Sequence, residues 1–160
     1  MKRLSVLRQT DALALLDGAT AAITETEQSA EAIAQALAAA PNDIDVLLAA
    51  YRFAFYTHDY SAACRHAQAI LSHAARQLNI ATDWRDVSCE DADFTAHRFA
   101  PGLYLQALIG WGYCLARMGV VQDAAKLLEQ AAALDPTDRF GGAWLLDKVL
   151  QPQDDDCDDD

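Results

Sequence analysis

The sequence lacks the features that mark several common classes of protein. No uninterrupted apolar run follows Met1-Lys2-Arg3, because Arg8 and Asp11 break it, so a secretory signal is not expected. No stretch is long and apolar enough to span a bilayer. Cys64, Cys89, Cys114 and Cys157 are widely spread and form no C-x-x-C pair. Together with the missing export signal, this predicts free thiols and a cytoplasmic protein. There is no Gly-x-Ser-x-Gly, no phosphate loop and no dinucleotide fingerprint, and the Asp/Glu pairs fall on predicted solvent faces. A non-catalytic protein without a cofactor is therefore expected. Basic residues are scarce, 12 against 24 acidic ones, which disfavours nucleic acid and anionic membrane as partners. Half of the net charge of −12 comes from Asp154, Asp155, Asp156, Asp158, Asp159 and Asp160. Such a like-charge block predicts a disordered acidic tail over 151–160.

What is present is Ala and Leu, with little β-branched patterning, which favours helix throughout. The clearest stretch runs from Tyr104 to Asp138. Leu105, Leu108, Trp111, Gly112 and Leu115 share one helical face. After Met118-Gly119-Val120, the residues Ala124, Leu127, Leu128, Ala131 and Leu134 form a second apolar face. Gly112 has no Cβ, so a neighbouring helix can approach closely there. Pro136 cannot continue a helix, and it biases Asp135 away from α geometry.

This pair of helices resembles a tetratricopeptide repeat, a helix–turn–helix unit of about 34 residues. Leu108 takes the aromatic position that opens the family pattern. Trp111 and Gly112 take its Leu-Gly pair, and Leu115 takes its Tyr. Gly119 is the turn glycine and Ala124 the first small residue of the second helix. Leu128, Ala131 and Pro136 complete the pattern. The resemblance implies an all-α fold: a right-handed superhelix of antiparallel helix pairs with about three such repeats.

The rest of the chain follows that register. Leu4, Leu7, Leu13, Leu15 and Leu16 give a helical character to the start. Residues 10–43 read as a degenerate first repeat that ends at Pro41, with Ile33 and Ala36 at the positions of Leu128 and Ala131 and Thr24 and Glu27 spaced as a capping box. Residues 44–77 read as a second repeat. There Leu47 and Ala63 take the places of Leu108 and Ala124, and His58 replaces the turn glycine. An insert over 78–104 precedes the third repeat and carries Trp84, Phe94 and Phe99. Within it, Ser88 and Asp91 are spaced to cap a short helix. Pro101-Gly102 reads as the lead into the third repeat. A last helix from Arg139 to Leu150 presents Phe140, Ala143, Trp144, Leu145 and Val149, and caps the stack. The helical domain is thus 1–150.

The resemblance also implies where a partner would sit. In this family the first helix of each repeat lines the inner wall. That assigns Asp45, Leu48, Arg52, Phe55 and Tyr56 to the wall, followed by Gln106, Ile109, Tyr113, Ala116 and Arg117. Aromatic and Arg side chains suit such a surface, because they bury area with few rotors and pair with carboxylates. The expected partner-binding set is Asp45, Arg52, Phe55, Tyr56, Gln106, Tyr113 and Arg117, joined by Trp84 of the insert. The partner is expected to be a protein or peptide. Leu48 and Arg52 stand where the chaperone-tail-binding members of the family carry Lys and Asn, so that particular role is not implied. Cys64, His66, His73, Cys89 and His97 offer soft ligands, but Cys64 and His66 are two apart and diverge on a helix, so no metal site is expected. The functional expectation is an interaction adaptor. The alternatives are a dedicated chaperone or assembly factor for a secreted protein or a metalloenzyme, and a small-molecule or metal-binding regulator.

Overall fold

A computed structural model describes residues 26–151, with side chains from Gln28 onward. The helix expected over Leu4 to Gly18, the Thr24–Glu27 capping box and the acidic residues 152–160 lie outside the described residues. Within them the chain is all-α: six helices and no strand. They are α1 (Thr26–Ala39), α2 (Ile44–Tyr56), α3 (Tyr60–Leu78), α4 (Phe99–Arg117), α5 (Val121–Leu134) and α6 (Gly142–Leu150). Each packs against its neighbours in sequence, and α4 touches α3, α5 and α6. Among the described residues no helix is long and apolar enough to cross a membrane.

Local chemistry sets the boundaries. Asp43 caps α2, its carboxylate accepting from the backbone N–H groups of Asp45 at 2.9 Å and Val46 at 3.2 Å. Ile33 and Ala36 of α1 bury against Val46 and Ala50 of α2. Asn79, in the left-handed region at φ 55°, ends α3. At the end of α5 the buried Asp135 accepts from the backbone N–H groups of Thr137 and Arg139, both at 3.1 Å. Asp138 then receives the first N–H groups of α6, from Ala143 at 2.8 Å and Trp144 at 3.3 Å.

The two central hairpins have the same turn. In the first, His58 has φ 62°, and in the second Gly119 has φ 82°. The N–H of Asp59 donates to the carbonyl of Ala54 at 2.8 Å, and the N–H of Val120 to that of Leu115 at 2.9 Å. Gly112 is the close contact that its missing Cβ predicts: a Cβ there would lie 2.9 Å from Leu128 Cγ.

Three boundaries differ from the sequence expectation. First, α4 begins at Phe99, more than a turn before Tyr104, so Pro101 and Gly102 lie inside the helix. Pro101 is in the first turn, where its missing N–H has no helical partner to lose. Second, Ser88 and Asp91 do bond as a cap would, the Ser88 N–H donating to Asp91 Oδ2 at 2.8 Å, but only a turn follows. The helical segment of the insert is instead a single 3-10 turn at Trp84–Asp86. Third, α6 begins at Gly142 rather than Arg139, and Trp144 is 63% exposed rather than packed.

The insert does not hang free. Phe94 is buried against Tyr104, with ring centroids 5.5 Å apart. Gln130 of α5 donates to the carbonyls of Trp84 at 2.9 Å and Val87 at 2.6 Å. Arg139 donates to the carbonyl of Phe94 at 2.9 Å. The loop thus joins the same core cluster as α3, α4 and α5.

Candidate functional site

A cleft of about 400 Å³ opens between α2, α4 and the segment leading into α6. Its α2 wall is Leu48, Tyr51, Arg52 and Phe55, which share a face because they fall at three- and four-residue steps. The α4 wall includes Leu103, Gln106, Ala107, Ile109, Gly110 and Tyr113. Ala67 and Ile70 of α3 form the floor, and Phe140 and Leu145 close the third side. A second cleft of about 340 Å³ shares Leu48, Arg52, Leu103, Gln106 and Phe140 with the first and continues it toward His97, Arg98, Phe99 and Arg139.

Neither cleft is lined by any Asp or Glu. Arg52 and Arg98 are both exposed, and neither makes an ion pair among the described residues. Arg139 is engaged: it bonds the Phe94 carbonyl, lies 4.0 Å from Asp135 and stacks over Phe140 at 4.7 Å. The surface is therefore an apolar trough with arginines along it.

One end of the trough is aromatic. Phe55 and Tyr113 approach with centroids 5.3 Å apart, and Tyr60 meets Tyr113 at 6.3 Å. Arg117 lies over the Tyr60 ring at 5.4 Å. Behind this end Tyr51 packs against the buried Cys64 and Cys114 in one cluster. Burial, reinforced by Cys64, pushes the Cys114 thiol up to about 12. Burial also raises Cys64 and, with Cys114 adding to it, Tyr51. All three groups are thus protonated at neutral pH, and neither thiol is poised as a nucleophile. Burial, helped by Arg65, lowers His66 below the ordinary histidine range. Among the described residues no group of three His, Cys, Asp or Glu side chains is placed to hold a metal ion.

Of the eight residues expected at a partner surface, the cleft brings together Arg52, Phe55, Gln106 and Tyr113. Arg117 stands at the aromatic end without lining the cleft. Tyr56 is 76% exposed beside Phe55, and Asp45 is exposed in the first turn of α2. Trp84 does not line the trough: it meets Trp111 edge-on at 6.4 Å, on the side of α4 that faces α5. The insert reaches the trough only through its last residues, His97, Arg98 and Phe99. Phe140 and Leu145 were legible only as a cap. Their five-residue spacing across a glycine pair gave no helical face that would have placed them in the wall. Gly110 escaped notice as well. A Cβ there would collide with Tyr51 Oη, so this glycine lets Tyr51 lie across α4.

An all-helical protein with an apolar, arginine-bearing cleft is thus defined. Its family is shown by a relative from Azotobacter chroococcum mcd 1, described as an uncharacterized 19.8 kDa protein in the nifW 5′ region. The two are 34% identical over 132 residues, which is 78% of this chain and 74% of the relative. The chain belongs to the same family as that protein. No family model matches the chain, and no solved structure matches it.

Proposed function

We propose that this protein is a non-catalytic, cytoplasmic interaction adaptor that holds a protein or peptide segment in the cleft between α2, α4 and α6. The helix pairs α2–α3 and α4–α5 are read as tetratricopeptide-like units of a right-handed superhelix, with α6 as the cap and the cleft as its inner surface. The observation that carries the reading is the trough itself: apolar side chains from three helices, among them Leu48, Ile109 and Leu145, are only half-buried along a path bordered by Arg52, Arg98 and Gln106. A surface of that kind suits a partner with apolar anchors and polar edges. Protonated, free Cys64 and Cys114 support a reducing compartment and argue against thiol catalysis.

The second reading is a dedicated chaperone or assembly factor for a metalloenzyme or a secreted protein. What favours it is the relative's gene position in the 5′ region of nifW, which makes products encoded there the first partners to test. One experiment serves both readings. The protein and its Gln106→Trp variant are used as baits in the native host, and captured proteins are identified by mass spectrometry. Gln106 is exposed and lines both clefts, so Trp fills the trough without entering the core. A stoichiometric protein held by the wild type and lost from the variant is the expected result. Equal capture by both would place the partner elsewhere on the surface and end the groove reading.

A further inference from the structure

We propose that the cleft selects a segment of a separate protein in which apolar side chains alternate with carboxylates. This rests on reading the cleft as the partner surface and adds the chemistry of the partner. The argument begins from charge. Acidic residues outnumber basic ones, 18 to 12 even without the six terminal Asp, so an arbitrary surface trough should show carboxylates. Both contiguous clefts show none, and they carry Arg52, Arg98 and Arg139 instead. Arg52 and Arg98 have no ion-pair partner among the described residues, so their guanidinium groups are available for bidentate contact with an incoming carboxylate. A basic segment would meet two unpaired arginines and find no counter-charge. The acidic excess over the rest of the surface disfavours an acidic partner there, which gives orientation as well as affinity.

Apolarity supplies the second half. Leu48, Ile109, Phe140 and Leu145 line the trough half-buried, and an entirely acidic segment would leave their exposed parts uncovered. The terminal run DDDCDDD offers no large apolar side chain to cover them, so it is not the matching occupant.

The test is selection followed by titration. The full chain is used to pan a displayed library of random 12-residue peptides. The most enriched peptide is then labelled and titrated by fluorescence anisotropy at low and high salt. Three proteins are compared: wild type, Gln106→Trp, and Arg52→Glu with Arg98→Glu, each checked by circular dichroism. Enriched peptides should pair Asp or Glu with Leu, Ile or Phe. Binding should fall by about tenfold or more in the double Glu variant and weaken with salt, and Gln106→Trp should remove it. Apolar peptides without acidic preference, with affinity lost in Gln106→Trp but kept in the Glu pair, would overturn the proposal and leave the groove reading standing. Equal binding to all three proteins would overturn both, as would a library with no enrichment. A synthetic QPQDDDCDDD peptide is titrated alongside. If it binds as tightly as the selected peptide, charge alone is being read, and the proposed apolar requirement falls.

Discussion

The two central hairpins share a backbone and divide their stabilising residues in opposite ways. Both turn in three residues, with a left-handed central residue and equivalent hydrogen bonds. The residues before the second helix, Asp59 and Val120, have nearly the same conformation, at φ −85°, ψ 73° and φ −88°, ψ 66°. The first hairpin has the better cap, because the Asp59 carboxylate accepts from the Ala62 N–H at 3.1 Å. It also has the poorer turn residue, His58. The second has the better turn residue, Gly119, and no capping side chain. Residue size is exchanged too. Gly112 faces Leu128 in the second hairpin, and the aligned positions of the first carry Tyr51 and Ala67. Tyr51 reaches α4 instead, its hydroxyl end lying against Gly110.

The largest expected effect tests that exchange. Gly112→Leu puts a side chain where Leu128 Cγ already stands 2.9 Å from an ideal Cβ. Overpacking should cost about 1–3 kcal/mol, read by chemical denaturation. Adding Leu128→Ala should recover part of the loss, because Leu128 is the side chain that the new residue meets first. Strictly additive losses in the double variant would show that the two positions do not share one volume.

The next effect is on binding. Corresponding wall positions carry Arg52 and Tyr56 on α2 but Tyr113 and Arg117 on α4, so each helix contributes one arginine and one tyrosine in opposite order. Only Arg52 and Tyr113 line the cleft, while Arg117 is occupied over the Tyr60 ring. Once a partner has been captured, Arg52→Ala should weaken it by about tenfold or more, and Arg117→Ala by much less. Equal losses would mean that the partner extends over the aromatic end of the trough.

These particulars show what the sequence could reveal. The all-helical class, the two turns and the Gly112 contact were legible because each rests on residues within one hairpin. Leu128 lies close enough in sequence to Gly112 for helical spacing to bring them together. The start of α4 was misread: Pro101-Gly102 was read as the lead into the third repeat, whereas Pro101 lies in the first turn of the helix, which tolerates proline. The lining of the candidate cleft was half legible. Arg52, Phe55, Gln106 and Tyr113 came from helical spacing and the repeat resemblance together. Phe140, Leu145 and Arg98 come to the cleft through chain segments whose path no local periodicity encodes. Trp84 was assigned to the partner surface with the insert, whose large aromatics were expected to find something to cover. It lies outside the cleft and against Trp111, where Gln130 ties the backbone of the insert to α5.

The turns give a smaller effect with opposite signs. Gly119→Ala forces a Cβ into a φ of 82°, though no atom lies within 4 Å of it, so conformation is the only cost. A loss of about 1 kcal/mol is expected. His58→Gly relieves a φ of 62° and should offset its own gain in unfolded-state entropy. The net change should be no more than about 0.5 kcal/mol either way. A loss at His58→Gly as large as that at Gly119→Ala would show that the imidazole contributes through its contact with Tyr60, whose ring centroid lies 5.7 Å away.

The smallest effect concerns the caps and follows from the matching backbone at Asp59 and Val120. Because the conformations coincide, an oxygen placed on residue 120 should reach the Asp123 N–H as Asp59 reaches that of Ala62. Val120 is 38% exposed, so little buried apolar area is given up. Val120→Ser is the cleaner change, since Asp123 already puts one negative charge in the first turn of α5 and a second would repel it. A gain of about 0.5–1 kcal/mol is expected for Val120→Ser, and Asp59→Ala should lose a similar amount. Both are read as shifts in the denaturation midpoint at unchanged slope. If Asp59→Ala costs stability while Val120→Ser adds none, the first turns of α3 and α5 differ in something other than the cap. The nearest difference is the first residue of each helix: Tyr60 packs into the aromatic cluster, whereas Val121 is exposed.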